Sequence, residues 1–572
     1  MSNKNIEAIY PLSPVQEGIL FHTRYAPNSG VYVVQFTCTL EGPLNIPTFK
    51  QAWQQVIDLH PVLRTLFAYE RREKPLQIVH WHVDLPWAQE DWRGLSQTKQ
   101  AERLETLLQM DREQGFDLLK APLMRLFLLR VADEQYHFVW SFHHLLLDGW
   151  SISLILKQLF GFNEMLEQGR YWSLEPSRPY KAYINWLKKQ DLAKAELFWQ
   201  KRLQNFSAPT PIGIERSASS DTPTTAFDEQ QIRLSAATTA ALQAFAQKHH
   251  LTRNTVIQGA WGLLLSRYSG EKDILFGITV SGRSGNLTGV ESMVGLFINT
   301  LPVRMTISPN MDLLTWLKAC HAQQQELREY EHSPLVLVQG CSEVPRDQPL
   351  FESILVFDDY PTGDALQEQS HSLKIRNIRF LERTNYPLTV LVESGEEYTL
   401  RITYDGERFD GATIGRMLGN FRALLEGMVA NPQQRLSELR LLSEAERHQM
   451  LVEWNQTQLY PKHRAIHELF ERQVDNIFVA PRTDSEKVLA GIWHEILGIK
   501  QVGIHDDFFN LGGHSLLATK VIARIHKVFD VHIPLNDLFE SPTIADLATT
   551  IVQKKAAQMD EAMLLELLNE LP

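Results

Sequence analysis

The sequence is poor in cysteine and has no long apolar run. Its 572 residues include three cysteines, which are too few and too scattered for a disulfide framework or a zinc cluster with recognisable spacing. No stretch approaches the roughly 18 uninterrupted apolar residues of a membrane span, and residues 1–10 lack the apolar core of a signal peptide. We therefore expect a cytoplasmic protein that has no membrane partner.

Clusters of basic residues are also missing. The chain has 56 lysines and arginines against 68 aspartates and glutamates, which gives a formal net charge of −12 at pH 7. Because binding to a nucleic acid depends on grouped lysines and arginines that neutralise phosphates, the sequence argues against a nucleic-acid partner. A length of 572 residues exceeds the size at which one hydrophobic core keeps growing, so several domains are expected.

The hydrophobic pattern predicts two α/β lobes and a small helical bundle. Ser13, Pro14 and Gln16 are typical of a helix start with a capping box, and residues 136–143 alternate as a half-buried strand does. The periodicity fades between residues 456 and 484, as expected of a linker. The predicted segments are a first lobe at 1–175, a second lobe at 176–453, a linker at 454–483, a bundle of four helices at 484–556 and a helical tail at 557–572.

The first chemical motif lies at the end of the predicted strand. Residues 142–151 are Phe-His-His-Leu-Leu-Leu-Asp-Gly-Trp-Ser. Two adjacent histidines, three apolar residues and then Asp-Gly form a compact arrangement for a general base beside a backbone kink. The alternative is a pair of structural histidines, with Asp148 capping a helix that begins near Ser151. These residues alone leave both interpretations open.

This motif resembles the His-His-x-x-x-Asp-Gly signature of the condensation-domain superfamily, which is related to chloramphenicol acetyltransferase. Further segments resemble the family's other motifs in the expected order, and these are residues 10–22, 60–67, 183–186, 294–300 and 346–351. The resemblance covers about residues 8–450. It implies an α/β fold of two chloramphenicol acetyltransferase-like lobes in a V-shaped arrangement, with the active site in a tunnel between them.

The resemblance makes His144, the second histidine, the catalytic one. A neutral imidazole with a pKa near 6.5 is able to accept the proton that an amine loses when it attacks a thioester. Alternatively, His144 positions the amine and stabilises the tetrahedral intermediate by hydrogen bonding, and the sequence does not separate these roles. His143 faces the opposite side of the strand and is expected to be structural.

Asp148 and Gly149 complete the motif. By resemblance, Asp148 points away from the substrate into an ion pair with an arginine, and Arg64 is the matching candidate. Gly149 permits a backbone geometry closed to other residues and the close approach of a substrate arm, although a plain turn explains it equally well.

The second chemical motif is the string Asp-Phe-Phe-Asn-Leu-Gly-Gly-His-Ser-Leu-Leu at residues 507–517. A serine that follows two glycines at a helix start could simply cap the helix. The whole string, however, resembles the phosphopantetheine attachment site of peptidyl carrier proteins. This implies that 4′-phosphopantetheine is attached covalently to Ser515, where its phosphodiester lies at the positive end of a helix dipole.

Two segments resemble the borders of an adenylation domain and lie next to each other. Residues 466–474 resemble its start and residues 479–484 the segment just after its end, with no nucleotide-binding sequence between them. The chain thus resembles a nonribosomal peptide synthetase module without its adenylation domain. The resemblance implies a phosphopantetheinyl transferase, loading of Ser515 in trans by an adenylation domain or another loading enzyme, and an upstream donor peptidyl carrier protein, with the chain's own carrier domain as acceptor.

Other functions within the superfamily are less consistent with the sequence. A CoA-dependent acyltransferase would not need a fused carrier, and an epimerase relative follows its carrier instead of preceding it. Silent recruitment domains lose the second histidine, and heterocyclising relatives replace the histidines with aspartates. Ester formation with a hydroxyl acceptor stays open. Residues 12–22, 183–191 and 329–335 resemble the subtype that joins a D-configured donor to an L-configured acceptor.

Overall fold

The structure, a computed structural model, describes residues 5–170, 177–215, 227–283, 287–358, 373–442, 444–455 and 478–556. These residues form two compact units that divide between Arg447 and His448. No helix in these ranges is long and apolar enough to cross a membrane. The helical tail predicted at 557–572 and most of the linker predicted at 454–483 lie outside the described residues.

The first part of the larger unit runs to residue 170 and begins as its sequence predicts. The Ser13 side chain accepts a hydrogen bond from the backbone N–H of Gln16, and the Gln16 side chain accepts one from the N–H of Ser13, so the capping box is present. The elements are β1 (Ile6–Pro11), α1 (Pro14–Tyr25), β2 (Val33–Glu41), α2 (Ile46–Leu59), β3 (Thr65–Ala68), β4 (Leu76–His80), β5 (Trp87–Asp91), α3 (Gln97–Gln114), β6 (Met124–Ala132), β7 (Gln135–His143) and α4 (Gly149–Glu167).

The second part of the larger unit contains more helices around one sheet. The elements are α5 (Lys181–Leu187), α6 (Leu192–Leu203), β8 (Phe227–Arg233), α7 (Ala236–Lys248), α8 (Arg253–Ser269), β9 (Asp273–Val280), β10 (Asn299–Thr306), α9 (Leu313–Arg328), α10 (Leu335–Gly340), β11 (Ser353–Asp358), β12 (Lys374–Leu381), β13 (Leu388–Glu393), β14 (Thr399–Asp405), α11 (Gly411–Ala430) and α12 (Glu444–His448).

The described strands of this unit form three sheets. The second part has a six-stranded sheet in the order β10-β9-β11-β13-β14-β8, and the first part has a small sheet in the order β1-β4-β3. The main sheet of the first part has the order β12-β2-β7-β6-β5. In this sheet β12, which comes from the second part of the chain, pairs antiparallel with β2. Residues 33–40 of β2 are all buried because the strand is covered on both faces. The crossing of β12 brings a late segment of the chain beside the end of β7.

The smaller unit is the predicted bundle. Its helices are α13 (Asp484–Leu497), α14 (Ser515–Phe529), α15 (Leu535–Glu540) and α16 (Ile544–Ala556). The helices enclose Trp493 and Phe508, both fully buried, with ring centroids 5.0 Å apart. This core is separate from the cores of the larger unit.

Candidate active site

A cavity of about 1590 Å³ is lined by both parts of the larger unit. Its wall includes Val15, His144 and Gly149 from the first part and Ile278 and Leu335 from the second. The family resemblance places the active site between two lobes, and this cavity has that position.

His144 lies directly after β7, and its side chain is 9% exposed, toward the cavity. Its backbone N–H donates to the carbonyl oxygen of Tyr32 at 2.9 Å. Its Nδ1 is buried beside its own carbonyl, with no hydrogen bond to another described residue. Its Nε2 lies 2.9 Å from Oε1 of Glu382. The imidazole therefore contacts the carboxylate of Glu382 through Nε2, the ring nitrogen that is available for chemistry.

Glu382 determines the charge of this histidine. Burial alone lowers the pKa of His144. The carboxylate of Glu382, with smaller contributions from the histidine's own backbone and from Asp148, outweighs burial and raises that pKa to about 9. Burial likewise raises the pKa of Glu382, and the positive charge of His144 reverses this, so that the net shift is downward. These two opposite pKa shifts favour the ionic form of the pair. A charged imidazolium donates a hydrogen bond and cannot accept a proton until it loses its own.

His143 has a different environment. The backbone N–H of Leu145 donates to Nδ1 of His143 at 3.2 Å, so the ring proton lies on Nε2, which donates to the hydroxyl of Thr23 at 3.2 Å. That hydroxyl donates in turn to the carbonyl oxygen of Ile19. Burial lowers the pKa of His143 to about 3. The ring is thus neutral and hydrogen-bonded through both nitrogens, and it lies on the side of the strand opposite to His144.

Asp148 is a buried structural residue that joins the two parts of the larger unit. One oxygen accepts the backbone N–H of Ser151 at 2.8 Å and caps α4, while the other accepts the N–H of Phe297 at 2.9 Å. Nη2 of Arg283 lies 3.0 and 3.1 Å from the two oxygens. The side chains of Asp148 and Arg283 are only 1% and 5% exposed, so the ion pair is buried.

The predicted ion pair between Arg64 and Asp148 is wrong. Arg64 pairs with Glu7 at 2.5 Å, and Arg283 pairs with Asp148. The other N–H groups of Arg64 donate to backbone carbonyls of residues 57, 58, 80 and 81. The guanidinium of Arg64 is therefore bound by Glu7 and by these backbone carbonyls. The carboxylate of Asp148 is neutralised by an arginine from the second part of the unit.

Gly149 is the first residue of α4 and lines the cavity. It has the ordinary conformation of a first helical residue, so no special turn requires glycine there. Close approach of a substrate arm remains a prediction for this position.

Three residues of the site were not predicted from the sequence, namely Tyr32, Arg283 and Glu382. Arg283 had one local signal, the preceding Gly282. That glycine has φ +62°, and a Cβ there would lie 1.9 Å from the carbonyl oxygen of Phe297. Such a glycine marks a close backbone approach beside a charged residue. Tyr32 and Glu382 have no comparable signal, because neither belongs to a recognisable motif.

Ser515 in the smaller unit is exposed and is the first residue of α14. The capping position belongs to His514, whose side chain makes no capping hydrogen bond, and no described residue binds the hydroxyl of Ser515. The serine is therefore not a plain helix cap. Gly512 has φ +95°, and a Cβ on Gly513 would lie 2.4 Å from the ring of Phe508, so both glycines shape the turn. A free hydroxyl at a helix N-terminus suits a phosphodiester, and these residues fit 4′-phosphopantetheine.

Comparisons with known proteins agree with both sites. Residues 6–451 match the family model described as condensation domain, and residues 487–551 match the one described as phosphopantetheine attachment site. A linear gramicidin synthase of Brevibacillus parabrevis is 45% identical over 476 residues, which cover 83% of this chain and 6% of that protein. The chain thus spans a small fraction of the length of this relative. The matched ranges leave residues 452–486 between them.

Two solved structures share the fold. The starter condensation domain of a rhizomide synthetase has a TM-score of 0.65 at 21% identity and covers 76% of this chain and 98% of its own. A four-domain nonribosomal peptide synthetase has a TM-score of 0.68 at 17% identity and covers 94% of this chain and 43% of its own. The expected fold and the expected carrier domain are confirmed.

Proposed function

This chain belongs to the condensation-domain family, and on that basis we propose that it forms an amide bond between two acyl groups held as thioesters on carrier domains. The acceptor is an aminoacyl thioester on Ser515, and the donor is a peptidyl or aminoacyl thioester on an upstream carrier. The proposal is supported chiefly by one combination: a histidine paired with a carboxylate in a large cavity, and an exposed serine hydroxyl on a phosphopantetheine-type domain.

The bonds balance without a redox partner. The acceptor nitrogen forms a bond to the donor carbonyl carbon, the carbon–sulfur bond breaks, and the proton lost by the amine ends on the leaving thiolate. In the tetrahedral intermediate the carbonyl oxygen carries negative charge. The imidazolium of His144 supports a role in donating a hydrogen bond to that oxygen, which is the kind of interaction that lowers such barriers. Of the two roles inferred from the sequence, the ion pair with Glu382 favours stabilisation over proton abstraction.

Phosphopantetheine supplies the terminal thiol on which the acceptor acyl group is carried. Ser515 provides the attachment oxygen, and the start of α14 provides the backbone N–H groups that face a phosphodiester. We further propose a phosphopantetheinyl transferase, an upstream donor carrier and loading in trans as the partners of this chain.

A modification assay tests the carrier. Treatment with CoA and a phosphopantetheinyl transferase is expected to add one cofactor mass to the chain, and Ser515→Ala is expected to abolish the addition. Ser541→Ala changes a serine of the same unit outside α14 and serves as the control. Retention of the mass increment by Ser515→Ala would show that the attachment site lies elsewhere.

Substitution of the histidine tests the active site. His144→Ala is expected to lower the rate of condensation by about 10²-fold or more, the size typical of a lost proton-transfer or charge-stabilising group. Because this variant also loses the ion pair with Glu382, circular dichroism is used to verify that it is folded at the assay temperature. Asp148→Ala is the comparison, because loss of its buried ion pair lowers stability and rate together. A His144→Ala chain with full activity would remove this histidine from the chemistry.

The donor subtype is a separate proposal. We propose a D-configured donor and an L-configured acceptor, supported by the sequence resemblance of three segments. Two of them contribute to the wall of the cavity, through residues such as Val15, Phe21 and Leu335. Discrimination between epimers requires a wall that clashes with one of them or leaves a polar group unpaired. Competition between donors with D- and L-configured ends is expected to favour the D form, and equal or L-favoured product would contradict the subtype.

A further inference from the structure

Glu382 is held beside His144 by a backbone frame that involves Tyr32. The backbone N–H of Tyr32 donates to the carbonyl oxygen of Arg383 at 2.9 Å, and the N–H of His144 donates to the carbonyl oxygen of Tyr32 at 2.9 Å. Leu381, the last residue of β12, is in register with Gln35 of β2. The segments that carry the two charged side chains are thus both bonded to one residue.

Tyr32 itself adopts a conformation that is rare for a residue with a side chain. Its φ is +64°, in the left-handed region, and its hydroxyl donates to Oδ1 of Asn385 at 2.5 Å. Such conformations cost free energy and persist where the surrounding structure fixes them, which is common at functional sites. The strained backbone and the three hydrogen bonds of Tyr32 indicate that the fold holds Glu382 in a fixed position next to His144.

The carboxylate of Glu382 has unused binding capacity. A carboxylate accepts about four hydrogen bonds, and the only ion pair of Glu382 in the described part of the chain is the one from Oε1 to His144. The side chain is 41% exposed, and it lines the cavity, so the exposed surface faces the space that a substrate occupies. An anionic side chain therefore contributes to the wall of this cavity, next to the histidine.

We propose that Glu382 receives the α-ammonium group of the acceptor beside His144, an inference that rests on the proposed amide-forming function. When the acceptor amine enters, the carboxylate of Glu382 is already paired with one cation, the imidazolium of His144. Asp148 adds a second, more distant negative charge, while His143, Tyr32 and Tyr386 are neutral there.

Two cations on one carboxylate repel each other, so binding favours the release of one proton to solvent. If the ammonium releases it, a neutral amine lies next to the imidazolium of His144. That is the pairing that attack on a thioester requires. Glu382 is thereby a specificity-determining residue for amine acceptors over hydroxyl acceptors, because an amine arrives as an ammonium that the carboxylate attracts, whereas a hydroxyl arrives uncharged.

Binding of two nearly isosteric ligands tests the proposal without any chemistry. The probes are the L-alanyl and L-lactyl amides of aminopantetheine, which present NH3⁺ and OH at the same position, and their dissociation constants are measured by calorimetry on the full chain. Glu382→Gln is expected to weaken the alanyl ligand by at least tenfold and the lactyl ligand by less than twofold. Glu229→Gln, which removes another carboxylate from the cavity wall, is expected to change neither.

The outcomes separate the possible roles. Glu382→Asp retains the charge and is expected to keep the preference for the amine. Equal weakening of both ligands by Glu382→Gln, or no weakening, would overturn the inference. So would an Asp variant that loses the preference as the Gln variant does. Failure of the wild-type chain to form product would count against the proposed function and leave this binding result to be judged separately.

Discussion

The buried pair of Arg283 and Asp148 yields a quantitative prediction about stability. Replacing Arg283 by alanine leaves the carboxylate of Asp148, which is 1% exposed, without its counter-ion. It also removes the hydrogen bonds from Nη1 to the carbonyl oxygens of Val290 and Met293, at 2.6 and 2.9 Å. Removal of one partner of a buried pair typically costs about 3–5 kcal/mol, and we expect Arg283→Ala to lower the free energy of unfolding by that amount.

A double-mutant cycle separates the pair from the other bonds. Asp148→Ala also removes the cap of α4, but this loss occurs in both the single and the double variant and cancels. For residues in direct contact the coupling energy is about 0.5–3 kcal/mol, and we expect a value in that range for Arg283 and Asp148. The same cycle with Arg64 in place of Arg283 is the control, because Arg64 bonds to Glu7 and is expected to couple to Asp148 by less than about 0.5 kcal/mol.

The assay is denaturant unfolding of the full chain followed by circular dichroism, with the transition of the larger unit fitted for each variant. All of these substitutions lie in that unit, so the smaller unit contributes equally throughout. A coupling energy below about 0.5 kcal/mol for Arg283 and Asp148, together with a larger one for Arg64 and Asp148, would refute this assignment of the ion pair.

Three further predictions concern local features. His143→Ala is expected to lower the free energy of unfolding by about 1–3 kcal/mol, because the hydroxyl of Thr23 loses a buried partner, and unchanged unfolding would contradict this. Histidine NMR is expected to give His144 a pKa near 9 that falls toward or below 6.5 in Glu382→Gln. Since the folded value exceeds the unfolded one, the stability from this charge is full below pH 6.5 and is lost as pH rises through about 9; a profile without that loss would be inconsistent with the pair. Gly513→Ala is expected to lower the melting temperature of the smaller unit in calorimetry because a Cβ would lie 2.4 Å from the ring of Phe508, and an unchanged melting temperature would count against this packing.

Features encoded over short stretches of sequence were predictable. The capping box of Ser13 and Gln16 joins residues three apart, and the helix that begins at Ser515 follows from two glycines and an apolar stripe. The opposite orientation of His143 and His144 followed from the two-residue period of a strand. In each case the groups that interact lie within a few residues of one another, so the contact can be inferred from the local sequence pattern.

The charged partners of the site were not predictable for the same reason. Arg283 is 135 residues from Asp148 in sequence, and Glu382 reaches His144 only because β12 crosses to the sheet of the first part. Many arginines and glutamates in the chain are equally suitable by residue type. Which of them pairs with Asp148 or His144 depends on the tertiary fold. The sequence resemblance indicated Arg64, but this arginine binds Glu7 and nearby backbone carbonyls.

The proposed amide formation is tested most directly by the intact mass of the chain after one round of reaction. The chain is first loaded on Ser515 by a phosphopantetheinyl transferase and an aminoacyl-CoA, and is then mixed with an upstream carrier that holds a donor acyl group. The mass of this chain is expected to rise by the mass of the donor acyl group, and His144→Ala is expected to lower the rate of this rise by about 10²-fold. An unchanged mass while the donor carrier loses its acyl group to water, or equal transfer by the His144→Ala chain, would contradict this expectation.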